Sequence, residues 1–152
     1  MTDPDGEDFD LDAFLPYLLN QAAEATSRGF ARVYRAEYGM TRTQWRVLAN
    51  LGRSGSLTAA EICRLSLLEK TKVSRAVGAL EGQGLLARGR HGADRRAEVL
   101  TLTPEGRAVF ERLGRLAQDY NRALRERLGP EAAVLARVLR GLIAAGVPDD
   151  GD

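Results

Sequence analysis

The chain has 152 residues and a formal net charge of +1, enough length for one domain with a substantial core and a charge that by itself points to no polyanionic partner. Its lone cysteine, Cys63, and lone histidine, His91, exclude an internal disulfide and a cysteine- or histidine-based metal cluster. The longest apolar run falls well short of the roughly 20 residues that span a bilayer, and the amino terminus is acidic rather than signal-like. The expectation is a soluble cytoplasmic protein without a membrane partner.

Residues 1–12 carry six acidic side chains and no Lys or Arg, so residues 1–11 read as a disordered acidic tail. Leu11, Leu15, Leu18, Ala22 and Ala25 then keep a three/four spacing that predicts a long helix over residues 12–37, with Pro16 early and Gly39 at its end. Thr41-Arg-Thr-Gln44 has the form of a capping box, flanked by Met40 and Trp45 as a hydrophobic staple. It opens a helix whose buried face is Trp45, Val47, Leu48 and Leu51, stopped by Ser54-Gly55-Ser56. Thr58-Ala-Ala-Glu61 repeats that form, with Leu57 and Ile62 as the staple, and opens a helix of barely two turns. After Ser66-Leu67 turns the chain, Val73, Ala76, Val77 and Leu80 mark a helix over about 69–83, ended by Gly82 and Gly84.

Residues 85–90 and 97–102 alternate as the two strands of a hairpin around a basic tip, residues 91–96. Thr103-Pro104-Glu105 starts a further helix, with Thr103 as N-cap and Pro104 at its first position. Its apolar stripe runs from Val109 to Leu128, and a last helix carries Val134, Leu135, Val138, Leu139, Leu142 and Ile143 before Gly146 and Pro148. Residues 147–152 form a second acidic tail. The fold class is therefore mainly α with a small β-hairpin wing: a winged helix-turn-helix over about 41–103. The helices left over, about 12–37 and 104–145, are most economically a helical dimerisation region. A monomer whose outer helices pack only on the winged unit is the plain alternative.

The charge distribution bears on function. Residues 64–96 carry eight basic and three acidic side chains, a locally concentrated positive field of the kind that attracts a polyanion. Lys70, Thr71, Lys72, Ser74 and Arg75 lie off the core face of the helix that a major groove would receive. Arg and Lys bond guanine O6 and N7, and Ser and Thr bond bases or phosphates. Taken alone this is an ordinary solvated face. The short capped helix before it and the basic hairpin after it turn the reading towards double-stranded DNA. Arg95 and Arg96 at the tip suit a minor groove, or else pair with Asp94. Cys63 reads as a buried, inert thiol and His91 as a lone tip residue. No phosphate loop, metal spacing or nucleophile–base arrangement is present, so no catalytic residue, metal or cofactor is expected.

The runs LEKTKVSRAVGALEGQGLLARGR, Asp94-Arg95-Arg96 and LTLTPEG (residues 100–106) together resemble the MarR family of bacterial transcription regulators, as does GMTRTQWRVLANL (residues 39–51). The likeness spans residues 12–146 as a single domain of that kind. It implies a homodimeric winged-helix repressor on a pseudo-palindromic operator, commonly released by a small aromatic or phenolic acid. It assigns base or phosphate contacts to Lys72, Ser74 and Arg75, and the wing contact to Arg96 with Asp94 orienting it. The run FLPYLLN (residues 14–20) is similar to members linked to aromatic-acid catabolism. A pocket between the dimer helices and the winged unit would use Tyr17, Asn20, Trp45 and Arg46. The first helix lacks the cysteine of oxidation-sensing members, so no oxidant signal is expected. Leu67 stands where the family frequently has glycine. Two rival readings share the core: a winged helix that binds protein, and a DNA-binding dimer that answers to no effector.

Overall fold

A computed structural model of the chain describes residues 8–90 and 97–146. Two compact units divide between Glu111 and Arg112. The first holds a 3-10 turn (Leu11–Ala13), α1 (Leu15–Tyr38), α2 (Arg42–Ser54), β1 (Ser56–Leu57), α3 (Ala59–Ser66), α4 (Lys70–Gly82), β2 (Leu86–Gly89) and β3 (Val99–Leu102). The helix α5 (Pro104–Leu128) begins in it, and α6 (Glu131–Ala145) belongs to the second.

Regular backbone starts at Leu11, inside the reach of the expected tail. Asp10 accepts from the Asp12 amide at 3.0 Å, and the Phe9 and Phe14 rings meet edge to face at 5.4 Å. The composition of the tail obscured this turn because two phenylalanines and one capping aspartate suffice to make it. Residues 1–7 lie outside the described residues. The helix α1 starts at Leu15, three residues later than its apolar pattern suggests, because Phe14 is extended and Pro16 belongs in a first turn. Gly39, at φ +61°, ends it while donating to Arg35 O at 2.8 Å, a left-handed backbone that glycine adopts at no steric cost.

The capping box of α2 forms in full: Thr41 Oγ1 accepts from the Gln44 amide at 3.2 Å and Gln44 Oε1 from the Thr41 amide at 3.1 Å. Met40 is fully buried. Trp45 packs against Phe30 and Tyr34, with ring centroids 5.2 and 6.0 Å away. Arg42 grips Glu24 of α1 with both guanidinium nitrogens, at 2.7 and 3.2 Å, and Arg28 adds a third bond at 3.3 Å. These hydrogen bonds, Arg42 first and then Arg28, hold the Glu24 carboxyl at about 2, against an ordinary value of 4.5.

Of the residues foreseen from helical spacing, Val47, Leu48 and Leu51 of α2, Ile62 of α3, and Val73, Ala76, Val77 and Leu80 of α4 are all buried. Trp45 is half-buried, and Leu65, which the spacing also assigns to the core, is exposed because α3 ends one residue later. Thr58 Oγ1 caps α3 by accepting from the Glu61 amide at 3.2 Å. The hairpin is part of a three-stranded antiparallel sheet of order β1-β3-β2, registered by Leu57 opposite Leu100 and Arg88 opposite Leu100 on the other side. The strand β1 was not foreseen. Two residues cannot display an alternation, and Ser56 reads as part of the preceding stop.

The sheet hands the chain to α5 through one tight junction. The Thr103 amide donates to Leu85 O at 3.1 Å, the Thr103 hydroxyl donates to Gly84 O at 2.6 Å, and that same hydroxyl accepts from the Gly106 amide at 3.0 Å. A Cβ on Gly106 would lie 1.9 Å from Leu85 O. Arg107 donates to Gly52 O at 3.2 Å, its guanidinium 5.4 Å over the Phe110 ring. In the second unit, Gly129 at φ +65° makes the turn between α5 and α6, and its amide donates to Arg125 O at 3.0 Å. Val134, Leu135, Val138, Leu142 and Ile143 of α6 are exposed.

Gly106→Ala is expected to destabilise the protein by about 1–3 kcal/mol in chemical denaturation, because the added methyl meets backbone rather than a yielding side chain. The folded Glu24 carboxyl is more acidic than the unfolded one, so its pairing with Arg42 stabilises the fold above pH 4.5 and is lost as pH falls through about 2. Melting curves of the native chain and Glu24→Gln should therefore differ at neutral pH and converge across that window.

Candidate nucleic-acid interface

The face of α4 follows from its pitch. With about 100° between successive residues, burying Val73, Ala76, Val77 and Leu80 leaves an arc in which Lys70, Thr71, Lys72, Ser74 and Arg75 must point away. All five are exposed. Among the described residues, no acidic side chain forms an ion pair with Lys70, Lys72 or Arg75. The five do not form one uniform surface. Lys70 and Ser74 stand at one edge of the arc, where they wall a cavity of about 630 Å³ together with α3 and the sheet. Thr71, Arg75 and Lys72 occupy the remainder.

That cavity is bounded by Thr58, Ala60 and Cys63 of the α3 region and by Arg88 and Glu98 of the hairpin. Cys63 is a free thiol, half-buried, in place of the fully buried one expected. It lines the cavity because α3 is only eight residues long, so the residue beside buried Ile62 falls at the margin of the core. The Arg88 guanidinium joins Glu81 of α4 at 3.0 Å and Glu98 at 3.4 Å. Sequence reasoning passed over this triad. The signal available was an arginine on the polar side of a strand, with a carboxylate seven residues before it and another ten residues after it.

Between α3 and α4, Leu67 sits at φ +54°, the single non-glycine residue of positive φ among the described residues. Its side chain is 89% exposed. The leucine thus holds the backbone that a glycine would take, at a cost of about 1–2 kcal/mol. The tip residues His91, Asp94, Arg95 and Arg96 lie outside the described residues.

The predicted effector residues are distributed along two helices. Trp45 belongs to the aromatic cluster with Phe30 and Tyr34, and Arg46 beside it is half-buried. Tyr17 is half-buried and Asn20 exposed on α1. Tyr17 precedes Phe30 by 13 residues, roughly 20 Å of helix axis. None of the four lines the cavity beside α4 or a second, open groove between the α5 and α6 ends at Arg122, Arg125 and Ala132. Among the described residues, no three of His, Cys, Asp or Glu gather as metal ligands, and no helix is long and apolar enough to cross a membrane.

A family model described as the MarR family matches residues 38–97, from the end of α1 through β2 to just before β3. The crystal structure of the MarR family transcriptional regulator SPO1453 from Silicibacter pomeroyi is similar over 91% of this chain and 98% of that one, with a TM-score of 0.78 and 32% sequence identity. This chain belongs to the MarR family. The HTH-type transcriptional regulator FarR of Neisseria gonorrhoeae is 28% identical over 126 residues, 83% of this chain and 86% of FarR. The structure of NadR in complex with 4-hydroxyphenylacetate matches 95% of this chain and 100% of that one, at 26% identity and a TM-score of 0.76.

Membership makes the chain a winged helix-turn-helix, DNA-binding transcriptional regulator and not an enzyme. As a MarR family member it is mainly helical, six helices with a three-stranded antiparallel sheet at the wing. Replacing Leu67 with glycine removes the left-handed strain but adds chain entropy in the unfolded state, so a net gain of about 0.5–1 kcal/mol is expected. A rise in the urea midpoint at unchanged slope is the measurement that checks it.

Proposed function

We propose that this regulator is a homodimeric repressor whose two α4 helices read successive major grooves of a pseudo-palindromic operator. A small aromatic or phenolic acid releases it. The observation that carries the reading is the exposed and unpaired cationic face of α4. Lys70, Thr71, Lys72, Ser74 and Arg75 are its contacts to bases and phosphates. Arg95 and Arg96, with Asp94 orienting, serve the flanking minor grooves. The regulator then works in the bacterial cytoplasm, on the nucleoid when bound.

The dimer is supported by apolar surface that has no use in one chain. Leu11, Phe14, Leu15, Leu18 and Leu19 in and before the first half of α1 are each more than 40% exposed, and the apolar residues of α6 are similarly open. An apolar run exposed along a helix in this way marks an interface. In this reading residues 41–103 bind DNA, and the helices over residues 12–37 and 104–145 associate two copies.

The effector is supported by the NadR complex, whose ligand is 4-hydroxyphenylacetate, and by the chemistry of Tyr17, Asn20, Trp45 and Arg46. A guanidinium takes a carboxylate, an indole takes a ring, and a phenol or amide takes a hydroxyl. The separation between Tyr17 and the Trp45 cluster exceeds a one-ring acid, so this reading has the pocket completed across the dimer.

The test is fluorescence anisotropy with an operator selected from a randomised duplex library, beside sedimentation of the free protein. A dimer that binds the selected duplex in a salt-dependent way is expected, and Arg75→Ala should lose about 1–3 kcal/mol of specific affinity. Release by 4-hydroxyphenylacetate should disappear in Tyr17→Ala and Arg46→Ala while operator binding persists. A monomer, or an Arg75→Ala variant with native affinity, counts against the reading.

A further inference from the structure

Two carboxylates stand where a DNA-binding surface is least able to tolerate them. Glu81 lies in the last turn of α4 and Glu98 immediately before β3, and both are exposed. Left free beside a polyanion, they would repel it. Each is instead held by the same guanidinium: Arg88 Nε donates to Glu81 Oε2 at 3.0 Å and Nη1 donates to Glu98 Oε2 at 3.4 Å. The planar guanidinium serves the two acceptors, on different elements, with separate donors at fixed angles. The three side chains are between 37% and 48% exposed, so their pairing adds little to stability. Its effect is geometric.

The geometry that needs fixing is the root of the hairpin. The strands β2 and β3 pair over only four residues each. They follow α4 through a Gln83-Gly84-Leu85 turn in which Gly84 has φ +75°, a flexible connection by composition. Leu85 and Leu86 are buried on the core side of that root. Arg88, opposite Leu100 in the ladder, supplies the link on the outer side, tying α4, β2 and the entry to β3 together.

We propose that Arg88 is a positioning residue for DNA recognition. Acting through Glu81 and Glu98, it locks the paired strands of the hairpin, at the end of their ladder away from α4, to the last turn of α4, so that α4 and these strands meet the duplex as one rigid element. The inference rests on the reading of α4 and the hairpin as the DNA interface. It assigns Arg88 no contact with DNA: Nε and Nη1 are each turned to a carboxylate of the protein itself.

The experiment uses the full-length protein and the selected operator, with a scrambled duplex for comparison. Charge alone predicts that Glu81→Gln combined with Glu98→Gln tightens binding to both duplexes, because two negative charges leave the surface. The clamp predicts the opposite for the operator: a loss of about ten-fold in specific affinity, with binding to the scrambled duplex undiminished. Arg88→Lys keeps the charge but not the fork, and should lose the same factor. The slope of log affinity against log salt should stay at the native value in all these variants, whereas loss of a phosphate contact lowers it by about one. Thermal melting should be nearly unchanged. Should the double variant fail to fold, Glu98→Gln alone is read in the same way.

Native or tighter operator binding by the glutamine variants overturns the clamp, as does native specificity in Arg88→Lys. A lowered salt slope in Arg88→Lys makes Arg88 a phosphate contact and overturns it too. If the native chain selects no duplex at all, the DNA reading of α4 fails and takes the clamp with it.

Discussion

The burial of one side of α4 is the constraint on which the rest of the first unit depends. Val73, Ala76, Val77 and Leu80 can be removed from water together only if the helix lies against α2 and α3 in one rotation. At about 25 cal/mol per Å² of apolar surface, four such side chains outweigh any preference the polar residues have. The orientation of Lys70, Thr71, Lys72, Ser74 and Arg75 is thus a by-product of packing. These polar side chains are carried on a face that the core has already aimed.

The same packing explains why so much was legible beforehand. Periodicity exposes a stripe of buried residues, and caps expose where a helix starts, so α2, α3, α4 and the Thr103 start of α5 could be read directly. Thr41 and Gln44 form both bonds of their box, as their spacing requires. What escaped notice depends on contacts between distant residues. The strand β1 exists because Ser56 and Leu57 find β3, and Arg88 joins carboxylates on two other elements. Neither leaves a local pattern. Leu67 is a third kind of case: a turn that glycine would make easily is held by a leucine, and no propensity rule predicts that choice. The exposed arc of α4 was legible from its pitch, whereas Tyr17, Asn20, Trp45 and Arg46 lie spread along two helices and the single chain does not gather them.

Two other features act on the same unit from its flanks. Glu24 and Arg42 join α1 to α2 at the edge of the aromatic cluster of Phe30, Tyr34 and Trp45. The Thr103 junction joins the sheet to α5. Both rest on charged or backbone hydrogen bonds rather than on apolar area, and both bound the core without entering it.

Gly106 has a wider consequence. Its contact with the Leu85 carbonyl leaves no room for a side chain, and Thr103 and Gly84 are committed to the same junction. The turn from Leu102 into α5 is therefore occupied with joining a sheet to a helix. The side chains on the open arc of α4 answer to no such demand. Substitutions on that arc can therefore accumulate while the architecture stays constant, because the residues that preserve the shape are buried or held at the junction and those of the arc are exposed.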